Sequence, residues 1–131
     1  MLTTLLDVDT ATRRIADLTP GIRAFCLGQG DGLLNVFAPH ATAGLAVIEI
    51  GSGSEDDLVD ALERLLPRDG RYRHAHGSTG HGADHLLPAV VSPSLCLPVI
   101  GGRPAVGTWQ SVVLVDLNAD NPRRQVRLSL V

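Results

Sequence analysis

The sequence predicts an α+β fold: a compact, mostly antiparallel β-sandwich or barrel-like sheet with two helices. Short apolar segments are separated by tight turns containing Gly and Pro, which is typical of antiparallel strands. Only two segments combine a helix-starting residue with apolar residues at helical spacing. The 131 residues, 44% of them hydrophobic, fit one domain, 1–131, which is long enough to bury about two thirds of the unfolded surface.

Six segments have the composition of strands. They are residues 2–8, 33–39, 44–50, 94–100, 112–117 and 124–131. The second and third are joined by only four residues, which fits either a hairpin or one bent strand. The run at 112–117 is almost unbroken in its apolar character, so we expect it to be buried on both faces. Residues 11–17 remain open between strand and helix.

The two predicted helices begin after turn-forming sequences. The first has Thr19 as its cap and places Ile22 and Cys26 on one face. The second has Ser54 as its cap and an acidic first turn, which the helix dipole favours, and it ends before Pro67.

The composition excludes several classes of function. A net charge of -3 and 3% aromatic residues provide neither a basic surface nor stacking platforms, so we expect no nucleic-acid partner. All the basic residues are Arg, which excludes Schiff-base chemistry and a Walker A lysine. There is no signal peptide and no apolar run long enough to span a bilayer, so we expect a cytoplasmic protein with no membrane partner. Cys26 and Cys96 are expected to be buried free thiols.

Histidines are concentrated in one stretch, residues 72–85, which reads YRHAHGSTGHGADH. It contains His74, His76, His81 and His85. Such a concentration indicates a metal, a proton relay or an anion contact. Gly80 and Gly82 argue against a helix here, so two or three ligands with the remainder exposed, or a solvated loop, both stay open. Asp84 is a candidate to ligate or orient His85, or is a surface acid.

Other candidates lie near strand ends. If the two strand ends meet, His40 and Glu49 would form one of two pairs. His40 would be a metal ligand or a general base, and the carboxylate of Glu49 would orient it through a hydrogen bond. The alternative is a strand-end histidine with a solvated Glu. Trp109 is either a flat wall of a site or part of the core, and Gln110 beside it offers a donor and an acceptor. Arg103 is a candidate to bind an anion or to hold a hairpin.

Taken together, these segments resemble the YjbQ family, also named secondary thiamine-phosphate synthase family proteins. The resemblance covers nearly the whole chain. The matching motifs are His40–Leu45 with Glu49, Tyr72-Arg73-His74, His85, Ser94-Leu95, Pro98-Val99, Gly102-Arg103 and Gly107-Thr108-Trp109-Gln110.

The resemblance implies a homotrimer with its site near the subunit boundaries. It implies a divalent metal, most simply zinc, on His40, His74 and His85. The implied activity is a weak thiamine-phosphate synthase acting on small phosphorylated molecules. The implied catalytic residues are Glu49, His40 and Gln110, and the implied substrate-binding residues are Thr42, Arg103, Thr108 and Trp109.

Some positions depart from the family pattern. Ile48 and Ile50 stand where the family has Asn on each side of Glu49, and Leu86–Ala89 replaces a run that contains Lys and two Ser. Diphosphate chemistry needs cations and donors around the leaving group. Two alternatives therefore accompany the synthase: a non-catalytic metal- or anion-binding trimer, and a metal-assisted phosphoester hydrolase.

Overall fold

Eight strands form two antiparallel sheets, and the computed structural model describes the whole chain, Met1–Val131. The strands are β1 (Leu2–Asp9), β2 (Ile15–Asp17), β3 (Gly32–Phe37), β4 (Gly44–Ile48), β5 (Ser94–Ile100), β6 (Arg103–Pro104), β7 (Ser111–Val115) and β8 (Arg123–Leu130). The larger sheet has the order β1-β8-β3-β5-β6, and the smaller has the order β2-β7-β4. The predicted α+β class with a mostly antiparallel sheet is confirmed.

The main core is built from the side chains of alternate strand residues. Along β8, Val126, Leu128 and Leu130 are buried while the residues between them are not. They pack in one cluster with side chains of the smaller sheet such as Leu114. Val113, the neighbour of Leu114, belongs to a second cluster on the other face of β7. The prediction that this strand is buried on both faces is therefore confirmed.

Three helices are present, not the two predicted: α1 (Thr19–Cys26), α2 (Ser54–Leu65) and α3 (His81–Val90). The third was missed because Gly80 and Gly82 argue against a helix by propensity. Gly80 instead precedes the helix in a left-handed conformation, with φ of 90°, that suits a glycine. Leu62 of α2 and Leu87 of α3 pack against the outer face of the smaller sheet. None of these helices has the length and apolar character needed to cross a bilayer.

Several local predictions need correction. The caps of α1 and α2 are Leu18 and Gly53, so each helix starts at the residue predicted to be its cap. Strands β3 and β4 belong to different sheets, so they form no hairpin. Cys26 is buried as predicted, whereas Cys96 is exposed, because its side chain lies on the outer face of β5.

Candidate functional site

Helix α3 brings two histidines onto one face of the protein. His81 and His85 are four residues apart, and side chains at this spacing lie one above the other on a helix. Their Nε2 atoms are 2.9 Å apart. The side chain of His81 is only 12% exposed, so it forms the floor of the group. The sequence predicted no helix here, and for that reason it did not predict this pairing.

The preceding loop supplies two more histidines. The ring centroid of His74 lies 4.0 Å from that of His85, and the ring of His76 lies 4.6 Å from that of His81. One nitrogen from each of the four rings can be chosen so that all lie within 4.8 Å of one another. No other group of three or more His, Cys, Asp or Glu side chains converges in this way. We call these four residues the histidine cluster.

The cluster approaches the dimensions of a tetrahedral metal site. Zinc binds imidazole nitrogen at about 2.0–2.1 Å, which places tetrahedral ligand atoms about 3.3–3.4 Å apart. The nitrogens of the cluster span distances on both sides of that value, from 2.9 Å up to 4.8 Å. The exposed rings of His74 and His76 would have to rotate to bring all four nitrogens to the tetrahedral spacing.

Two imidazoles of the cluster, those of His74 and His85, have lowered pKa values. The pKa of His74 is lowered, first by partial loss of solvent and then by the neighbouring rings of His76 and His81. The pKa of His85 is lowered in the same way, with burial as the larger cause. Neutral imidazole is the form that binds metals, so the lowered pKa values of His74 and His85 favour metal binding at these two rings.

An ion pair holds the loop and the helix together behind the cluster. The guanidinium of Arg68 donates through Nη1 and Nη2 to the two carboxylate oxygens of Asp84, which is 1% exposed. This pairing raises the pKa of Arg68. Tyr72 adds a bond from its hydroxyl to the carbonyl oxygen of Pro67, at 2.6 Å. Asp84 is therefore a buried structural acid engaged by Arg68.

Asp120 stands behind the cluster on its other side. Its Oδ2 lies 3.0 Å from Nδ1 of His81 and accepts a hydrogen bond from the amide of Ser78 at 3.2 Å. The bond from Ser78 is the largest cause of a lowered pKa for this carboxyl. Sequence reasoning missed this residue, since it lies in a turn 39 positions from its partner.

His40 is separate from the histidine cluster within the chain. Its Nε2 lies 3.0 Å from the amide nitrogen and 2.9 Å from the carbonyl oxygen of Gln125. Burial is the main cause that lowers its pKa. The ring lines a cavity of about 520 Å³ together with Asp7, Asp9 and Arg123. The structure thus brings together two of the three ligands implied by resemblance, His74 and His85.

Glu49 and Thr42, which follow His40 closely in the sequence, make no hydrogen bond with its ring. Glu49 is exposed and makes no hydrogen bond or ion pair. Thr42 is buried and its Oγ1 accepts from Nη2 of Arg124 at 2.8 Å. Arg124 in turn donates to Asp116 at 2.7 Å. Thr42 therefore belongs to a buried network that ties β7 and β8 to the loop after β3.

The remaining predicted residues lie on another surface. Gln110 folds back so that its Oε1 accepts from the amide of Gly107 at 2.7 Å. This turn leaves Thr108 exposed and Trp109 74% exposed, so the placement of the Trp in the core is wrong. Arg103 lines a groove of about 370 Å³ with Arg23 and does not touch the histidine cluster.

The fold and the site define a small α+β protein with a curled antiparallel sheet and a four-histidine cluster beside helix α3. A family model described as UPF0047 protein YjbQ-like matches residues 4–131, and the chain belongs to this family. The UPF0047 protein Rv2556c of Mycobacterium tuberculosis is 72% identical over 131 residues, which cover 100% of this chain and 98% of that protein. A UPF0047 protein of Archaeoglobus fulgidus is 31% identical over 122 residues, covering 92% of this chain and 95% of that one.

Solved structures agree with this assignment. The hypothetical protein APE1520 from Aeropyrum pernix K1 superposes with a TM-score of 0.86 at 32% identity, covering 100% of this chain and 98% of that one. A YbjQ-like protein of unknown function from Sulfolobus solfataricus P2 has a TM-score of 0.89 at 20% identity, covering 98% and 95% of the two chains. The second likeness concerns the fold alone.

Proposed function

We propose that this member of the YjbQ-like family is a metal-binding protein whose centre is the histidine cluster. The observation that carries the proposal is the convergence of one nitrogen from each of four histidines within 4.8 Å. Imidazole ligands suit zinc, copper and nickel, and zinc is the simplest occupant because it accepts a tetrahedral set of neutral nitrogens. His74 and His85 keep the role that family resemblance implies, while His76 and His81 replace His40.

The number of ligands bears on the kind of function. Catalytic zinc sites have three protein ligands and a fourth coordination position for water or substrate. Four protein ligands leave the ion no open coordination position. Four histidines therefore favour binding without turnover. Metal-assisted hydrolysis of a phosphoester, which needs the open position, is disfavoured for the same reason.

We propose that the protein acts as a homotrimer, as its resemblance to the family implies. Support comes from apolar side chains on the outer face of the larger sheet. Leu33 is 58% exposed and Ile100 is 59% exposed, and Phe37, on the same face of β3 as Leu33, is 39% exposed. Burial of such side chains between copies would be favourable by about 25 cal/mol per Å² of apolar surface.

A second candidate is a weak thiamine-phosphate synthase. It is favoured by one observation, the groove in which Arg23 and Arg103 face solvent with no acidic side chain in the lining. Paired guanidiniums suit a small phosphorylated substrate. In that function the histidine cluster, which does not line this groove, would have to meet the substrate across a subunit boundary.

The test is the metal content of untagged protein, measured by mass spectrometry after mild isolation. We expect one metal per chain in the wild type, a clear loss in His76→Ala and His81→Ala, and retention in His40→Ala. Protein that contains no metal and takes up no zinc would overturn the proposal. Loss of metal in His40→Ala, with retention in His81→Ala, would restore the ligand set implied by resemblance.

The synthase has its own assay, the formation of thiamine phosphate from a pyrimidine diphosphate and a thiazole phosphate. We expect no product above background from the purified protein. Product formation that His40→Ala abolishes would establish the second candidate and reject a purely binding role.

A further inference from the structure

We propose that Asp120 is a positioning residue that determines which nitrogen of His81 faces the histidine cluster, and thereby sets the number of metal ligands. The inference rests on the proposed metal function. Nothing about the residue's position in the sequence marks it, because its contact with His81 is made across 39 residues. Its role follows from the protons that the surrounding hydrogen bonds require.

Two groups compete for Nδ1 of His81. Oδ2 of Asp120 lies 3.0 Å from it, and Nδ2 of Asn118 lies 3.3 Å from it. An ionised carboxylate only accepts, so contact with Asp120 requires a proton on Nδ1. The amide of Asn118 would instead donate to a bare Nδ1 and leave the proton on Nε2. The two contacts thus select opposite tautomers of one ring.

The contact with the carboxylate of Asp120 is the more favourable of the two. Its contact is shorter, and a charged acceptor makes the stronger hydrogen bond. A bare Nδ1 would place a lone pair against the carboxylate at 3.0 Å, which is repulsive. Asp120 is itself fixed, since its Oδ2 accepts from the amide of Ser78 and its own amide donates to Oδ1 of Asn118 at 2.7 Å. His81 therefore carries its proton on Nδ1.

The consequence reaches the cluster through Nε2 of His81. With Nδ1 protonated, Nε2 has a free lone pair, and in the metal-free protein it accepts from Nε2 of His85 at 2.9 Å. A bound metal would be held through Nε2 of both rings. Binding through Nε2 of His85 would first require its proton to move, by exchange with solvent, to Nδ1 of that ring, so no net proton would be lost. His81 needs no rearrangement because Asp120 has prepared its tautomer.

Removing the carboxylate would reverse the tautomer. In Asp120→Ala, Asn118 becomes the sole side-chain partner of Nδ1, and the proton of His81 moves to Nε2, where it faces the cluster. His81 could then bind through Nε2 only after its Nδ1 loses the bond from Asn118, so the other three histidines bind more readily and a position is left for water or a small anion. Asp120→Asn is the conservative counterpart. The amide of Ser78 keeps the side-chain oxygen at the same place, where it still accepts from Nδ1 of His81.

The first experiment is long-range ¹H–¹⁵N NMR of the histidine rings in the metal-free protein, which reads each tautomer directly. We expect a proton on Nδ1 of His81 in the wild type and in Asp120→Asn, and on Nε2 in Asp120→Ala. The matched control is Asp60→Ala, which removes an exposed acid of α2 and should leave the tautomer unchanged. A proton on Nε2 in the wild type, or on Nδ1 in Asp120→Ala, overturns the inference.

The second experiment uses cobalt(II) as the metal and azide as a probe for an open position. We expect Asp120→Ala to bind cobalt about 10–100-fold more weakly, the usual cost of losing an outer-shell partner, and Asp120→Asn to recover most of the loss. Azide should alter the visible spectrum of cobalt in Asp120→Ala only. An equal azide effect in the wild type contradicts the inference. Absence of cobalt binding in the wild type rejects the proposed metal function, while the NMR result still decides the role of Asp120.

Discussion

Gly82 is the position where one methyl group should disturb the histidine cluster while sparing the fold. A Cβ built on this residue would lie 2.7 Å from the carbonyl oxygen of His74 and 2.7 Å from Cβ of Tyr72. Ordinary van der Waals contact begins at 3.4 Å, so the loop that carries His74 must retreat by about 0.7 Å. Metal sites tolerate deviations of only about 0.2 Å in ligand distance.

Gly82→Ala should therefore weaken zinc binding by at least about 10-fold, the lower end of the cost of disturbing a ligand's support. The helix itself should not suffer, because Ala is favoured over Gly in a helix by about 0.8–1.0 kcal/mol and the φ of Gly82 lies outside the left-handed region. The control is Gly70→Ala, in the same loop region, where a Cβ meets nothing within 4 Å. Zinc affinity is measured by competition with a chromophoric chelator, and folding by urea titration of the metal-free protein.

Two outcomes would refute this reasoning. Wild-type zinc affinity in Gly82→Ala would show that the contact between loop and helix does not hold His74 in place. Equal weakening in Gly70→Ala would show that affinity follows general loop behaviour and not the close approach at Gly82.

Three further predictions concern stability. Asp116→Ala should lower the free energy of unfolding by about 3–5 kcal/mol, because it leaves the guanidinium of Arg124 buried without its partner; a urea titration showing a loss below about 1 kcal/mol would contradict this. Leu114→Ala should cost about 2–5 kcal/mol by the same assay, since the side chain is fully buried between the sheets, and a neutral effect would show that the core is not packed as described. His74 and His85 have lowered pKa values, so the unfolded chain binds protons more readily; the stability of the metal-free protein should be fully present above the ordinary histidine pKa of 6.5 and fall as the pH drops below it, and a flat profile between pH 7 and pH 5 would count against the lowered values.

The strands were predictable because the burial of their side chains follows the pattern of apolar and polar residues in the sequence. Alternation along 124–131 and the unbroken apolar run at 112–117 correspond to β8 and β7, and residues 94–100 match β5 from end to end. Helix α3 was not predictable from propensity. Its glycines are unfavourable in isolation, yet Gly80 takes a left-handed turn and Gly82 allows close approach of the loop, and both advantages exist only in the folded protein.

Only part of the site was predictable, because some of its contacts exist only in the folded protein. The concentration of four histidines in residues 72–85 is visible in the sequence. The pairing of His81 with His85, however, depends on a helix that the local sequence disfavours. The partners Asp120 of His81 and Gln125 of His40 lie 39 and 85 residues away. Contacts at such separations are set by the packing of the sheets, which one sequence does not reveal. The catalytic and substrate-binding roles implied by resemblance stay predictions.

X-ray absorption spectroscopy of the zinc-loaded, untagged protein tests the central claim most directly. The number and type of atoms around the ion distinguish the histidine cluster from a three-histidine site. We predict four nitrogen ligands at about 2.0–2.1 Å with the scattering pattern of four imidazoles. Three imidazoles with one oxygen ligand would contradict the four-histidine centre proposed for this chain. That result would favour the three-histidine set that includes His40, with a water as the fourth ligand.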